Sequence, residues 1–310
     1  MYAAVVTSFD SPPRYQEMSE PVAHSDEEEV VDVLAAALHP RVRSQADGSH
    51  YTSTGVLPLV PGIDGVVRDG RGNLRYALLD DNGLGTMAQR TVIEKRRSVL
   101  LDPGSDPVAV AAAVNPAMSS WVALRRRIAF HKVASVLVLG ATGNAGRTAV
   151  QVARRFGAAE VVAAGRDESK LAALREIGAD RTFLLDQLAA AADVDVVIDY
   201  LWGAPAARAM TDIVSHRQDR SRSLDWIAIG SVAGDEASIP SAALRAARLS
   251  IMGSGIGSVS ARDFSAELPE ITAAASRHEF AITPRAIPLA EVEQTWNQPS
   301  PAGERVVFTL

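Results

Sequence analysis

The sequence predicts an α/β protein in which a doubly wound parallel sheet is inserted into a β-rich domain. Three observations carry this. Residues 1–110 read as short strands separated by Gly, Pro and Asp, a texture that suits a β-rich unit. Beyond Asp106 the chain becomes Ala-rich and then alternates strand and helix, the rhythm of a parallel sheet with right-handed crossovers. After Gly257 the alternation breaks, and the chain ends on a strand. At 310 residues the chain also exceeds the size at which one core keeps growing, which favours two domains.

In order, the strands expected first are 3–7, 29–38, 65–68, 74–79 and 88–93. Segments 107–114 and 116–128 have helical spacing of apolar positions, so a first seam is placed near Val114. Strand 135–139, helix 147–156, strand 160–164 and helix 168–177 follow, with Gly157 and Gly178 where helix C-caps belong. Further strands are expected at 182–185, 194–199, 226–229 and 249–252, with 216–223 a surface loop. Helix 263–276, strand 283–287, a short helix at 290–296 and strand 305–309 complete the chain. The domains expected are therefore 1–114 with 258–310, and 115–257.

Composition narrows the function. Apolar residues at 47% and charged residues at 22% describe a globular protein with a real core. No cysteine is present, which excludes disulfides, thiol catalysis and thiolate metal sites. A net charge of −6 without a compensating basic stripe argues against nucleic acid as a partner. Arg125-Arg126-Arg127, the densest basic cluster, reads as a solvated helix end. No run approaches the roughly 18 uncharged apolar residues of a membrane span, and the first residues lack a secretion-signal pattern. A soluble cytoplasmic protein is the expectation.

The chemistry begins at Gly140-Ala141-Thr142-Gly143-Asn144-Ala145-Gly146, between a buried strand and an amphipathic helix. Glycines let the backbone approach a pyrophosphate, and the helix N-terminus offers free N–H groups and a positive dipole end. This is a Rossmann-type turn, and it assigns Thr142, Gly143, Asn144 and Ala145 to a dinucleotide; the alternative is a tight turn that binds nothing. The second strand ends at Gly165 and Arg166, with Lys170 one turn beyond. An acid at that tip would hold a ribose 2′-hydroxyl, whereas a guanidinium suits a 2′-phosphate, so NADPH is favoured over NADH. Asp167 and Glu168 fall at the helix start, where acids commonly cap. Later strand ends should also line the cofactor: Tyr200 and Leu201, Gly230 and Ser231, then Gly253, Ser254 and Gly255. Tyr200 and Trp202 could stack beside adenine or pack the sheet edge, and both readings stand open.

Several stretches resemble one family. They are Leu57-Pro58-Leu59-Val60-Pro61-Gly62-Ile63-Asp64-Gly65-Val66-Val67, Gly85-Thr86-Met87-Ala88-Gln89, Asn115-Pro116-Ala117-Met118-Ser119-Ser120-Trp121, the glycine turn with Ala149-Val150-Gln151-Val152-Ala153, and Gly178-Ala179-Asp180. Over nearly its whole length the chain resembles the medium-chain dehydrogenase/reductase superfamily, in its zinc-free branch of quinone oxidoreductases and enoyl reductases. That resemblance implies a GroES-like domain split around a Rossmann domain, Asn115 at the cofactor, and a homodimer. Zinc-dependent members use cysteine and histidine ligands; here cysteine is absent and Ile63-Asp64 stands where a His-Glu pair would be, so no metal is expected.

The chain departs from the branch at Leu38-His39-Pro40-Arg41-Val42, where an Asn-Pro-x-Asp motif is usual. His39 takes the asparagine's place and could act as general acid, donate to a carbonyl oxygen, or merely hold its loop. Tyr51 resembles a tyrosine near the substrate, either orienting a carbonyl or forming an apolar wall. His50 reads as a loop residue, and His131 as lying outside the site. The activity implied is NADPH-dependent hydride transfer to a quinone or an α,β-unsaturated carbonyl compound. Reduction of a simple ketone or aldehyde with His39 as proton donor, and a non-catalytic NADPH-binding protein, are the alternatives.

Overall fold

A computed structural model of the chain describes residues 1–81, 83–131 and 134–310. Runs that alternate in polarity near the N-terminus form strands, as period-2 patterning requires. β1 (Tyr2–Val5) pairs antiparallel with β2 (Arg14–Glu17). β3 (Glu28–Ala37) leads into α1 (Pro40–Ala46), where Pro40 supplies a φ already suited to a first helical turn. β4 (Asp64–Arg68), β5 (Leu74–Leu78), β6 (Arg90–Glu94) and β7 (Ser98–Leu100) follow.

α2 (Pro107–Val122) opens the helical part and runs through Pro116, continuing into a wide turn at Ala123–Arg127. The segment Pro107–Arg127 is long and apolar enough by composition to cross a membrane, yet 72% of its apolar window is buried inside the protein, as in a core helix. Strand and helix then alternate: β8 (Ser135–Leu139), α3 (Asn144–Arg155), β9 (Glu160–Gly165), α4 (Glu168–Ala172), β10 (Arg181–Leu184) and β11 (Val196–Asp199). Next come α5 (Gly203–His216), β12 (Leu224–Ala228), α6 (Ser241–Ala246), β13 (Leu249–Gly253) and α7 (Ala261–Ser276). β14 (Thr283–Pro288), α8 (Val292–Thr295) and β15 (Glu304–Thr309) close the chain.

Two compact units result, Met1–Asn115 with Leu268–Leu310, and Pro116–Glu267. In the first, a seven-stranded sheet runs β14-β15-β3-β4-β5-β7, with β6 also on β3. The returning β15 pairs antiparallel with β3, and Phe308, Val306 and Trp296 join Val5, Val42 and Met87 in one core. In the second, six parallel strands run β10-β9-β8-β11-β12-β13. The order reverses between β8 and β11, the switch point at which such sheets bind ligands. Its core stacks Leu137, Leu139, Val162, Met210, Ile213 and Trp226.

Four short elements were not foreseen: β2, α1, β7 and α6. Each is seven residues or shorter, too short for a hydrophobic period to register. The two helices expected around Asn115 are one. Residues 168–177 divide into α4 and a 3-10 turn at Arg175–Ile177, closed by Gly178 at φ +116°.

Arg125 and Arg126 are exposed, as expected of a helix end, and the basic cluster is also tied down. Arg126 pairs with Glu267 and Asp263, Arg127 donates to the carbonyls of Gly253 and Ser258, and Arg125 lies over the Trp121 and Phe156 rings. Glu267 is 2% exposed and also accepts from Trp121 Nε1 at 2.9 Å, which is why 258–267 goes with the parallel sheet and not with the first unit.

The loop after α5 is similarly anchored. Arg217 is 3% exposed and donates to the carbonyls of Ala192, Val194, Arg222 and Ser223 at 2.7–3.3 Å. Replacing it with Met strips four main-chain acceptors at once, two of them on buried residues. Arg217→Met is expected to destabilise the protein by on the order of 3 kcal/mol, read as a lower urea midpoint with an unchanged slope. An unchanged midpoint would show that this loop is not held by its arginine.

Candidate active site

The glycine turn is built by close backbone contact. Gly140 sits at φ +78°, and its N–H and that of Ala141 donate to Ala164 O at 3.1 and 3.0 Å, tying the turn to the end of β9. A Cβ on Gly146 would lie 2.3 Å from Gly140 O and 2.6 Å from Ala141 Cα, so no side chain fits there. Gly143 is the N-cap of α3 and brings no capping side chain, and the first turn holds no acid. The start of α3 is thus without a side-chain cap, an arrangement that suits a phosphate.

The neighbouring strand ends converge on this turn. Thr142 Cγ2 stands 3.0 Å from where a Gly165 Cβ would be, and Leu201 Cδ2 stands 3.0 Å from the corresponding point on Gly140. Gly230 presses against Tyr200 O, and Ser231 follows it, exposed. Tyr200 is 8% exposed, bonded through its hydroxyl to Ser119 Oγ at 2.9 Å, and burial pushes its phenol up to about 12. Trp202 packs on the sheet's apolar core. Gly253 gives its carbonyl to Arg127, Ser254 N donates to Ala228 O, and Gly255 N to Ser258 Oγ at 2.8 Å.

Arg166 is exposed at the tip of β9. Asp167 caps α4, accepting from the N–H groups of Ser169 and Lys170; bonds from Ser169 and then Lys170 draw its carboxyl down to about 2. Lys170 Nζ lies 3.3 Å from Asp167 Oδ2, so the lysine is shared with the cap.

Of two further residues here, Asp199 belongs to a strand end expected from the sequence to line the cofactor, and Arg147 escaped sequence reasoning. Asp199, fully buried, accepts from Leu201 N at 2.8 Å, Trp202 N at 3.0 Å and Trp226 Nε1 at 3.0 Å; burial raises its pKa against those three bonds. It clamps Trp202 at φ 52°, ψ −161°, a backbone region that glycine favours. Arg147, in the first turn of α3, keeps a buried Nε without a hydrogen bond, and a cation there opposes the helix dipole unless an anion joins it. A basic residue just after a glycine turn was the available signal.

The remaining candidates lie in the first unit. His39 precedes α1, is 2% exposed and does not cap the helix. Its Nε2 lies 3.4 Å from Asp64 Oδ2, and the same oxygen accepts from Asn115 Nδ2 at 2.5 Å. Asn115 therefore has its amide nitrogen committed to Asp64. Tyr76 is buried beside Asp64, its hydroxyl driven well up by burial and then by the carboxylate's charge. Arg305, 5% exposed, donates to Leu38 O, and burial lowers its pKa to about 10. Burial, then the charges of Arg305 and Arg41, outweigh Asp64 and lower the His39 pKa, so the ring is neutral at pH 7.

A second network joins Arg41, Thr52 and Gln45 on the Asp81 carboxylate at 2.7–2.8 Å, and Gln45 Oε1 accepts from Gly62 N. His50 Nδ1 meets Thr52 Oγ1 at 2.9 Å, while Tyr51, 73% exposed, rests on the His50 ring at 4.2 Å. Asp64, Tyr76 and Arg305 carried no sequence signal of function, since they meet only when β4, β5 and β15 pair.

A parallel sheet in the order 3-2-1-4-5-6, with a side-chain-free turn at its switch point, defines a dinucleotide-binding protein of Rossmann type. Comparison places it further. A family model described as zinc-binding dehydrogenase matches residues 145–273. A protein of Emericella nidulans named "probable NADPH-dependent quinone reductase tdiC" is 30% identical over 359 residues, covering 99% of each chain. The chloroplastic NADPH-dependent alkenal/one oxidoreductase of Arabidopsis thaliana is 29% identical over 50% of this chain and 44% of its own. The solved quinone oxidoreductase of Thermus thermophilus, studied also with NADPH, superposes with a TM-score of 0.83 at 23% identity, covering 100% of both chains. The chain belongs to the medium-chain dehydrogenase/reductase superfamily, in its quinone oxidoreductase branch.

Two histidines make stability depend on pH. His39 is lowered by burial, and His50 falls to about 4, by burial and then by Arg41. Unfolded, both titrate near 6.5, so the unfolded chain binds more protons below that value. Their contribution is whole above pH 6.5 and is lost as pH falls through about 4. The urea midpoint should drop between pH 7.5 and 5, and His50→Gln should drop less; identical drops would show that His50 does not resist protonation in the fold.

Proposed function

We propose that this protein is an NADPH-dependent, zinc-independent oxidoreductase that transfers hydride to a quinone or an α,β-unsaturated carbonyl compound. The observation that carries it is the turn before α3, free of side chains and of a side-chain cap, in the same sheet as a strand tip that bears Arg166, with Asp167 committed to capping α4. Bound NADPH supplies the hydride, and the chain supplies recognition and orientation. The amides of Gly143, Asn144 and Ala145 with Thr142 take the pyrophosphate; Arg166, aided by Lys170 and set against Gly165, takes the 2′-phosphate. Tyr200, Leu201, Gly230, Ser231, Gly253, Ser254 and Gly255 line the rest, and Asn115 is a further cofactor candidate.

The donor set supports a zinc-free reading. The chain has no cysteine, and among the described residues no group of three or more His, Asp or Glu could hold a metal. Without a Lewis acid, acceptors that spread charge over a conjugated system are the easier ones. The names of the relatives point the same way. His39 and Tyr51 are the catalytic candidates. In this reading the unit Met1–Asn115 with Leu268–Leu310 is the catalytic domain and Pro116–Glu267 the cofactor domain, in a cytoplasmic homodimer; β13, at the end of the six-stranded sheet, is an edge on which a second copy could add.

Rates with NADPH on a quinone, an enone and a saturated ketone test the reading. Turnover of the first two is expected, and activity confined to the ketone would overturn it. NADPH binding with no turnover of any acceptor would instead make the protein a cofactor-binding scaffold. Arg166→Ala should raise the KM for NADPH by roughly tenfold or more, the worth of a charge-assisted bond, with little change for NADH. Equal effects on both would remove Arg166 from the 2′-phosphate.

A further inference from the structure

The cluster around Asp64 joins three secondary-structure elements through one oxygen. Oδ2 of Asp64, on β4, accepts from Asn115 Nδ2 of α2 at 2.5 Å and faces His39 Nε2, just before α1, at 3.4 Å. Asp64 is 1% exposed and His39 2%, and Thr86 Oγ1 donates to the Asp64 carbonyl, holding the backbone from another side. His39 Nε2 meets the carboxylate at ion-pair distance without a hydrogen bond of ordinary geometry, and no hydrogen bond among the described residues engages Nδ1.

We propose that Asp64 is a positioning residue for His39, fixing the imidazole as its Nε2–H tautomer and leaving Nδ1 as the nitrogen that carries the proton accompanying the hydride. The proposal rests on the reductase reading for its chemistry, and on geometry alone for the tautomer. A ring nitrogen that faces a carboxylate oxygen is favoured as N–H, because its lone pair would meet another lone pair in a medium that screens poorly. A carboxylate oxygen has room for two donors; the Asn115 amide fills one place on Oδ2, and His39 Nε2 stands 3.4 Å from the same oxygen, at ion-pair reach. Arg305 puts a cation in the same cluster, so Asp64 is balanced without His39 having to be charged.

Bound NADPH would supply the hydride that forms a C–H bond on the acceptor, whose π electrons would move to its oxygen. For this, Nδ1 of the neutral Nε2–H ring first takes a proton from solvent; that proton then passes to the acceptor oxygen, and the ring returns to the neutral Nε2–H form. While the ring is doubly protonated, Asp64 stabilises it, the logic of a base oriented by a third group.

Long-range ¹H–¹⁵N correlation on the labelled full-length protein at pH 7.5 reads the tautomer, with His39→Gln assigning the His39 signals among six histidines. The expected result is Nε2–H with unprotonated Nδ1 in the wild type, lost in Asp64→Asn. In steady-state kinetics Asp64→Asn should lower kcat by roughly a hundredfold, the scale of general acid catalysis, while the KM for NADPH stays within about twofold. An Nδ1–H ring in the wild type, or an unaltered tautomer and kcat in Asp64→Asn, would overturn the proposal. Should Asp64→Asn fail to fold, Asn115→Ala keeps the carboxylate, and retention of the Nε2–H ring there is expected; its loss would assign the tautomer to Asn115 instead. A wild type that shows the Nε2–H ring but reduces no acceptor counts against the reductase reading and leaves the hold of Asp64 on His39 standing.

Discussion

The nucleotide end of the parallel sheet depends on one steric fact, that Gly146 approaches Gly140 so closely that a Cβ would stand 2.3 Å from a carbonyl oxygen. This approach lets α3 start directly above β8. It also lets the β9 end be tied to the turn through Ala164 O, and the β11 end close over Gly140 through Leu201. Asp199 completes the arrangement. By accepting three N–H bonds it holds Trp202 in a conformation that costs on the order of 1–3 kcal/mol, offset by packing of the indole on the sheet core.

The first unit solves a different problem, the burial of charge. Asp64 and Arg305 are nearly sealed from water, and desolvation of such groups costs several kcal/mol each unless they are bonded or balanced. Here the carboxylate takes the Asn115 amide and faces His39, while Arg305 donates to the Leu38 carbonyl next to His39. The cluster is thus centred on the histidine that replaces an asparagine of the resembling family. Its polar atoms gain little by way of stability, so a role in holding His39 is the better account of why apolar residues do not stand there.

Much of the second unit was legible in the chain. Strand 135–139 was read to the residue, and Gly157 and Gly178 cap as expected, at φ +86° and +116°. Long apolar runs bounded by glycine signal buried parallel strands whatever surrounds them. The short pieces were not legible: α1 follows a proline in what reads as a loop, and α6 spans six residues. Arg125 and Arg126 stand exposed at their helix end, as read, but the partners of the basic cluster, Asp263, Glu267 and two carbonyls, lie more than a hundred residues away and were not legible. Arg217 hid in a polar stretch for the same reason in miniature, its acceptors being main-chain carbonyls that no sequence pattern marks.

Local chemistry therefore settled the fold class, the glycine turn and the tip residue Arg166, because each follows from the size, dihedral freedom or charge of residues adjacent in the chain. Tertiary structure decided which side chains meet. His39, Asp64, Tyr76, Asn115 and Arg305 come from five elements and share one buried cluster only because β15 returns to β3 and α2 begins where it does. Burial then reversed the simplest expectation for His39, which is neutral at pH 7 and faces a carboxylate. Desolvation and pairing belong to the folded environment, and the identity of a residue carries no record of either.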